Sequence, residues 1–446
     1  MAAKRTRRAG VAALSLLAAL SLGLSACTET PFVGGSDEAN TIDGGLAGSI
    51  DEAIASAMQL SGSTAAVIGV WTGSGEYVRG YGEGVEASSP IRGAQASQPV
   101  MCALLLDLVA EGKVSLDRAV AEDLPRQVGL EGITYGQLCS ATSGLADFKS
   151  PALIDIFTNN PTRPWSDREL LTQALAHSPL AEPGTELHVS DTGALLLARA
   201  LRQVTGSSVS SMLEERVFGP AGMHSSSYPV DPLATSTLPG DGMTGLTYPS
   251  SGGAPVCSVP GEAEGETVPV EPVSVDQLSP SMLGGAGAAV TTAGDLKRFY
   301  ESYLSGVFGE GSAELVTALS TPEPAAAEGE EAAAEAPAEG EEPSAEQAAP
   351  VDGWAFGLEK VGPLYGMSGA MTGSITAAYH DPAGGFSVVV ALNNSSAGAA
   401  FAKALAFELA AIAGLEVGWT VEDQAAALAE RAVCQPAPAA EEAPVE

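Results

Sequence analysis

The sequence predicts an α/β fold of the α+β kind, with strands at the two ends of the chain and a mainly helical middle. Three observations predict it. Near the N-terminus, Leu46, Ile50, Ala53, Ile54, Ala57 and Met58 form one helical stripe. The apolar run 64–72, a Gly73-Ser74-Gly75 turn and a second strand over 76–81 follow it. Near the C-terminus, residues 374–379 and 386–392 read as a hairpin around Asp381-Pro382-Ala383-Gly384-Gly385, and a helix over 401–412 closes the core.

In chain order, residues 1–27 read as a targeting segment. Lys4, Arg5, Arg7 and Arg8 precede an apolar run over 11–24 that is too short for a comfortable membrane span. The run ends in Leu24-Ser25-Ala26-Cys27. Residues 27–45 are polar and Gly-rich, which suits a flexible tether. The folded domain is therefore expected over 46–420. At its centre, in residues 91–116, Met101, Leu104, Leu105, Leu108 and Val109 recur at helical spacing, and Gly112 stops the helix. Its first turn, Gln95-Ala96-Ser97-Gln98, is polar. A short helix is expected in 133–148, ending at Ser143-Gly144. Another covers 165–176, with Ser166 as N-cap and Glu169 at the capping-box position. The apolar helix 194–204 is stopped by Gly206, and an amphipathic helix covers 208–217. Residues 232–280 are rich in Pro, Gly, Ser and Thr and read as a loop insertion. A helix is expected over 295–304. The Ala/Glu/Pro segment 321–350 holds no Lys or Arg and predicts disorder. Residues 421–446 read as a short helix and a disordered acidic tail.

A chain of 446 residues, 45% hydrophobic, can bury one large core or two ordinary ones. Aromatic residues are only 5%, so that core is built from Ala, Leu, Val and Gly. The net charge is −35, and loss of the basic leader would make it −39. Such a surface repels nucleic acid and anionic lipid headgroups, which excludes nucleic acid as a partner. The acidity is expected to serve solubility. With Cys27 set aside, Cys102, Cys139, Cys257 and Cys434 permit three disulfide connectivities. Cys102 and Cys139 lie in the regular core, whereas Cys257 lies in the insertion and Cys434 near the end. Those two pairings are expected, and free buried thiols stay open for the first pair. No Cys-x-x-Cys or Cys/His cluster suggests a metal, and no cofactor is expected. The four histidines are scattered and read as structural or exposed.

The order of these pieces resembles the serine β-lactamase and penicillin-binding protein family, in particular class C β-lactamases, D-alanyl-D-alanine carboxypeptidases and related esterases. The resemblance is carried by IRGAQASQPVMCALLLDLVAEGKVSL, ITYGQLCSATSGLADF, PGTELHVSDTGALLLARALRQVTG, FGPAGMHSS, GGAGAAVTTAGDLKRF and YGMSGAMTGSITAAYHDPAGGFSVVVALNNS. These stand in the family's order from about residue 46 to about 412. The resemblance implies an antiparallel sheet of five or more strands, helices on both of its faces, and a mostly helical lobe over about 117–280. The end of the leader, in turn, resembles a bacterial lipobox. That implies a diacylglycerol on the Cys27 thiol and an extracytoplasmic, lipid-anchored protein. An ordinary secretory signal cut after Ala26 is the alternative.

The family's chemistry needs a Ser at the start of the central helix and a Lys one turn on. It also needs the Tyr of a Tyr-x-Asn turn and a His- or Lys-x-Gly on the edge strand. Together these activate a weak hydroxyl and shuttle its proton. Here the Ser falls on Gln95 and the Lys on Gln98. The turn is Val189-Ser190-Asp191, the edge motif is Met367-Ser368-Gly369, and the His of the family's SHTSGL is Ala141. An amide is no nucleophile, and Val and Met move no protons, so acylation should be lost. Ser97 lies about 200° around an α-helix from Gln95 and should face the packing side. No Lys, His or Tyr is evident in the motifs beside Ser190 or Ser368, and Asp191 could act as a base only through water.

The substitutions have two readings. Gln95, Gln98, Ser190, Asp191, Ser368 and Gly369 could line a cleft kept for binding, or the cleft drifted and Val189 and Met367 partly fill it. Three functions follow. The first is a membrane-anchored, catalytically inactive lipoprotein that binds a cell-wall (peptidoglycan) fragment or a protein partner. The second is a residual serine hydrolase with a non-standard nucleophile. The third is a scaffold that uses its acidic insertion for docking.

Overall fold

The computed structural model describes residues 34–434 except 231–235, 241, 264 and 323–351. The leader, Cys27 and nearly all of the acidic insertion lie outside the described residues. So does the acidic tail from residue 435.

The sheet has eight strands: β1 (Gly34–Asn40), β2 (Ala66–Thr72), β3 (Gly75–Tyr81), β4 (Gly353–Trp354), β5 (Glu359–Val361), β6 (Leu364–Met371), β7 (Ser374–Asp381) and β8 (Phe386–Leu392). Their order across the sheet is β1-β3-β2-β8-β7-β6-β5-β4, and every pairing is antiparallel. The two ends of the chain meet where β2 pairs with β8, with Ile68 opposite Val390. Alternation along β2 then divides the interior. Val67 faces the core shared with the helical lobe, and Ile68 faces a second core on the other side. Because both faces are covered, β7 and β8 are buried at every position.

Helix α1 (Gly44–Ser61) starts where Asp43 accepts the Gly45 N–H at 2.8 Å, and it ends at Gly62 in the left-handed conformation. It packs beside the closing helix, so Ile50, Ile54, Phe401 and Leu405 share the second core. Helix α2 (Val100–Ala110) is buried almost all round and forms the centre of the first core. The other helices of eight or more residues are α3 (Pro151–Asn159), α4 (Asp167–Leu175), α5 (Asp191–Thr205), α6 (Ala293–Leu304), α7 (Ala399–Ile412) and α8 (Val421–Glu430). A disulfide joins Cys102 of α2 to Cys139, and another joins Cys257 to Cys434. Among the described residues, no helix is long and apolar enough to cross a membrane.

Several boundaries differ from those the sequence suggests. The segment expected as a tether contributes β1, which pairs with β3 at the sheet edge. GGSDEAN has no strand-like alternation. It joins through backbone hydrogen bonds, in a register broken by irregularities. Helix α8 also belongs to the folded body, because it packs on α7 and α1. The insertion at 232–280 carries small ladders, Gly245–Thr247 with Val273–Val275 and Ser258–Pro260 with Thr267–Pro269. The second of these is exposed throughout, so no hydrophobic pattern marks it. The helix expected to reach Ser143-Gly144 spans only Tyr135–Cys139, and the stretch after it turns through Ala141 at φ 57°. Ser166 does cap α4, accepting the Glu169 N–H, but the Glu169 carboxylate turns to Arg163 instead of closing a capping box.

Candidate functional site

Four segments converge on Gln95. It lies in a 3-10 turn, Ala94–Ser97, which precedes α2 and replaces the α-helical start expected there. Pro99 separates the two, because a proline has no N–H to continue the ladder. The turn is pressed between strand β6 and the Gly284–Gly287 turn. A Cβ on Gly369 would lie 2.2 Å from the Gln95 backbone nitrogen, and one on Gly287 would lie 2.5 Å from the Ala94 carbonyl carbon. Both positions therefore need a bare Cα. Ala94 takes a positive φ of 43° to make this entry.

The Gln95 side chain is buried and fully engaged. Its amide N–H donates to Asp191 Oδ2 at 2.6 Å, and its Oε1 accepts the Ala370 N–H at 2.9 Å. Beyond Gly366, β6 is an edge strand, and Ala370 N–H is the outward donor facing the turn. A donor free to receive an incoming carbonyl oxygen is thus occupied by the protein's own amide. Asp191 begins α5, where the helix dipole favours a carboxylate. It also accepts Lys149 Nζ at 2.7 Å. The Asp191 N–H donates to Asp147 Oδ2 at 3.2 Å, and the Lys149 N–H donates to Asp147 Oδ1 at 2.8 Å. Burial pulls the Lys149 pKa down, but the Asp191 and Asp147 charges outweigh it and hold the ammonium above its ordinary value. Burial, then the Asp191 charge, pushes the Asp147 carboxyl above the usual carboxylate range.

Lys149 brings to the site a lysine that the motifs themselves do not contain. It follows the SGLADF stretch directly, at a position the family motifs do not mark. As a charged donor bound to Asp191 it is no general base. The Asp191 charge in the cleft is thus paired.

The other sequence candidates fall in three places. Gln98 is buried and lines a cavity with Val189, Ser190 and Trp354 that leaves only about 20 Å³ of free space, room for about one water. Ser190 caps α5 by accepting the Thr192 N–H at 3.1 Å, and it donates to the Ala146 carbonyl at 3.1 Å. Val189 is 54% exposed, whereas Met367 is buried in the core shared with the helical lobe. Ser368 does not face the cleft. Strand alternation turns it, with Leu364 and Ala370, toward the α7 side, where its hydroxyl meets Tyr379. Ser97 is fully buried and donates to the Ala94 carbonyl at 2.8 Å. Among these candidates, the described geometry places neither the Ser97, the Ser190 nor the Ser368 hydroxyl on a lysine, a histidine or a carboxylate.

The β-lactamase family model matches residues 50–412. The chain is 28% identical over 252 residues to penicillin-binding protein 4 of Amycolatopsis lactamdurans, covering 55% of this chain and 59% of that relative, less than two thirds of its length. Among solved structures, a D-stereospecific amidohydrolase from Streptomyces sp. superposes with a TM-score of 0.60 at 22% identity, covering 77% of this chain and 94% of that one. The octameric penicillin-binding protein homologue from Pyrococcus abyssi does so with a TM-score of 0.60 at 16% identity, covering 85% of this chain and 79% of that one. The sheet, the helical lobe and the order of the motifs agree with these matches, and the chain belongs to the β-lactamase family.

Proposed function

We propose that this protein is a non-acylating member of its family, anchored outside the membrane by lipid on Cys27, which acts by binding and not by acyl transfer. One observation carries the reading. The side chain at the nucleophile's position, Gln95, bridges Asp191 and the Ala370 N–H, and so closes the space an acyl group would enter. The lysine within reach is an ammonium held by two carboxylates. The narrow cavity beside Gln98 speaks against a cell-wall fragment sunk into the cleft, since small-molecule sites have volumes of roughly 300 Å³ or more. A protein partner, or a peptidoglycan strand laid on the surface, fits the closed cleft better.

The test is intact mass after incubation with benzylpenicillin and, separately, with a fluorophosphonate. The expected result is an unchanged mass with both. A stoichiometric adduct that disappears in Ser97→Ala or Ser190→Ala would overturn the reading in favour of a hydrolase. Metabolic labelling with a fatty-acid analogue tests the anchor, and label should be lost in Cys27→Ala.

A further inference from the structure

Helix α5 carries Asp191 at its first turn. Further along, the stripe Leu195, Ala198, Arg199 and Arg202 lines a separate cavity of about 260 Å³ in the helical lobe. Trp165 and Val209 complete its apolar walls. Three arginines, Arg168, Arg199 and Arg202, stand around it. Asp167 is the one acid among the described lining residues, and it already bridges Arg202 at 2.8 Å. Arg199 is half-buried, and no ion pair or hydrogen bond holds its guanidinium among the described residues. Burial lowers its pKa, Asp167 opposes that, and the charges of Arg168 and Arg202 add to the lowering. The same wall holds an indole N–H: Trp165 is 3% exposed, and its Nε1 meets no acceptor among the described residues.

This arrangement runs against the charge balance of the chain. With 55 acidic residues against 20 basic, a carboxylate for each arginine would be easy to supply, yet the one acid among the described lining residues, Asp167, bridges Arg202 and reaches Arg199 only at longer range. A cation left partly desolvated among like charges costs stability unless an anion joins it. The apolar walls add a second requirement, since a bare inorganic anion would leave them unfilled.

We propose that this cavity binds a small amphipathic organic anion, with its oxyanion head on Arg199 between Arg168 and Arg202 and its apolar stem against Trp165, Leu195, Ala198 and Val209. The volume lies just under the roughly 300 Å³ at which drug-sized ligand sites begin, so the anion is a small one of about a dozen non-hydrogen atoms. The proposal is independent of whether the Gln95 cleft is active.

The test is calorimetric titration of the purified protein with sodium octanoate, with inorganic phosphate and octylammonium as comparison probes. Octanoate should bind saturably at one site, and both comparison probes at least tenfold more weakly. Arg199→Gln should weaken octanoate at least tenfold while leaving the melting temperature of the unliganded protein unchanged or higher, because a like-charge contact is removed. A merely structural arginine would lower it. Should Arg199→Gln fail to fold, Arg168→Gln on the exposed rim should weaken octanoate by two- to fivefold. No saturable octanoate binding, equal affinity in the folded variant, or phosphate binding as tightly as octanoate would each overturn the proposal.

Discussion

The amide of Gln95 donates at one end and accepts at the other, and both ends meet protein groups. That makes the residue a cross-link between the helical lobe and the edge strand. Asp191 is its hinge, since it accepts from both Gln95 and Lys149. Asp191→Ala should leave a buried amide donor and an ammonium without their acceptor. We expect a loss of about 2 kcal/mol, below the full cost of breaking a buried pair because the Lys149 side chain is 27% exposed. Urea unfolding measures it, and a change under about 0.5 kcal/mol would show that the bridge holds little. Glu408 raises a different single-residue question. It is 6% exposed on α7, its Oε2 has no hydrogen-bond partner among the described residues, and burial pushes its pKa up to about 7. The folded state therefore holds a proton that the unfolded chain releases above its ordinary carboxylate pKa. Stability from this group is complete below about pH 4.5 and is lost as pH rises through 7. Glu408→Gln should be the more stable protein at pH 8, by on the order of 2 kcal/mol, and should match the parent near pH 4.5. Parallel melting curves across that range would refute the assignment.

At the scale of elements, the site depends on how closely β6 approaches the 3-10 turn. A strand backbone can lie against another backbone only where no Cβ intervenes, and Gly369 and Gly287 provide that on the two sides of Ala94–Ser97. Gly369→Ala places a methyl within 2.2 Å of a backbone nitrogen that cannot swing aside. We expect destabilisation of roughly 1–3 kcal/mol. In hydrogen exchange, the Ala370 amide should lose protection while central β8 keeps its own. Equal loss in both strands would mean that the whole sheet, not this contact, had given way. The disulfide from Cys102 to Cys139 ties the other side of α2 into the helical lobe, so the turn before it enters from a braced helix.

At the scale of the molecule, the sheet is assembled from segments more than three hundred residues apart, as where Val67 meets Ala391. Hydrophobic period alone marks β2, β3, β7, β8, α2 and the closing helix, because their buried faces are large. It does not mark β1, whose GGSDEAN sequence has no alternation, or the ladder of Ser258–Pro260 with Thr267–Pro269, which exposes its side chains. The replacement of the family's catalytic side chains was legible at Gln95, Gln98, Val189 and Met367, since an amide, a valine or a methionine lacks the atoms of the groups it replaces in any fold. What faces what was not. That Ser368 turns away follows from strand alternation once the register is fixed. That Lys149 reaches Asp191, and that Gln95 reaches Ala370 across 275 positions, follows only from the folded chain. The sequence by itself determined which chemistry each side chain can perform, because that is a property of its own atoms. Only the tertiary structure decided that the cleft is bridged shut and that three arginines gather around an apolar cavity elsewhere. Distance and burial are properties of segments brought together by folding.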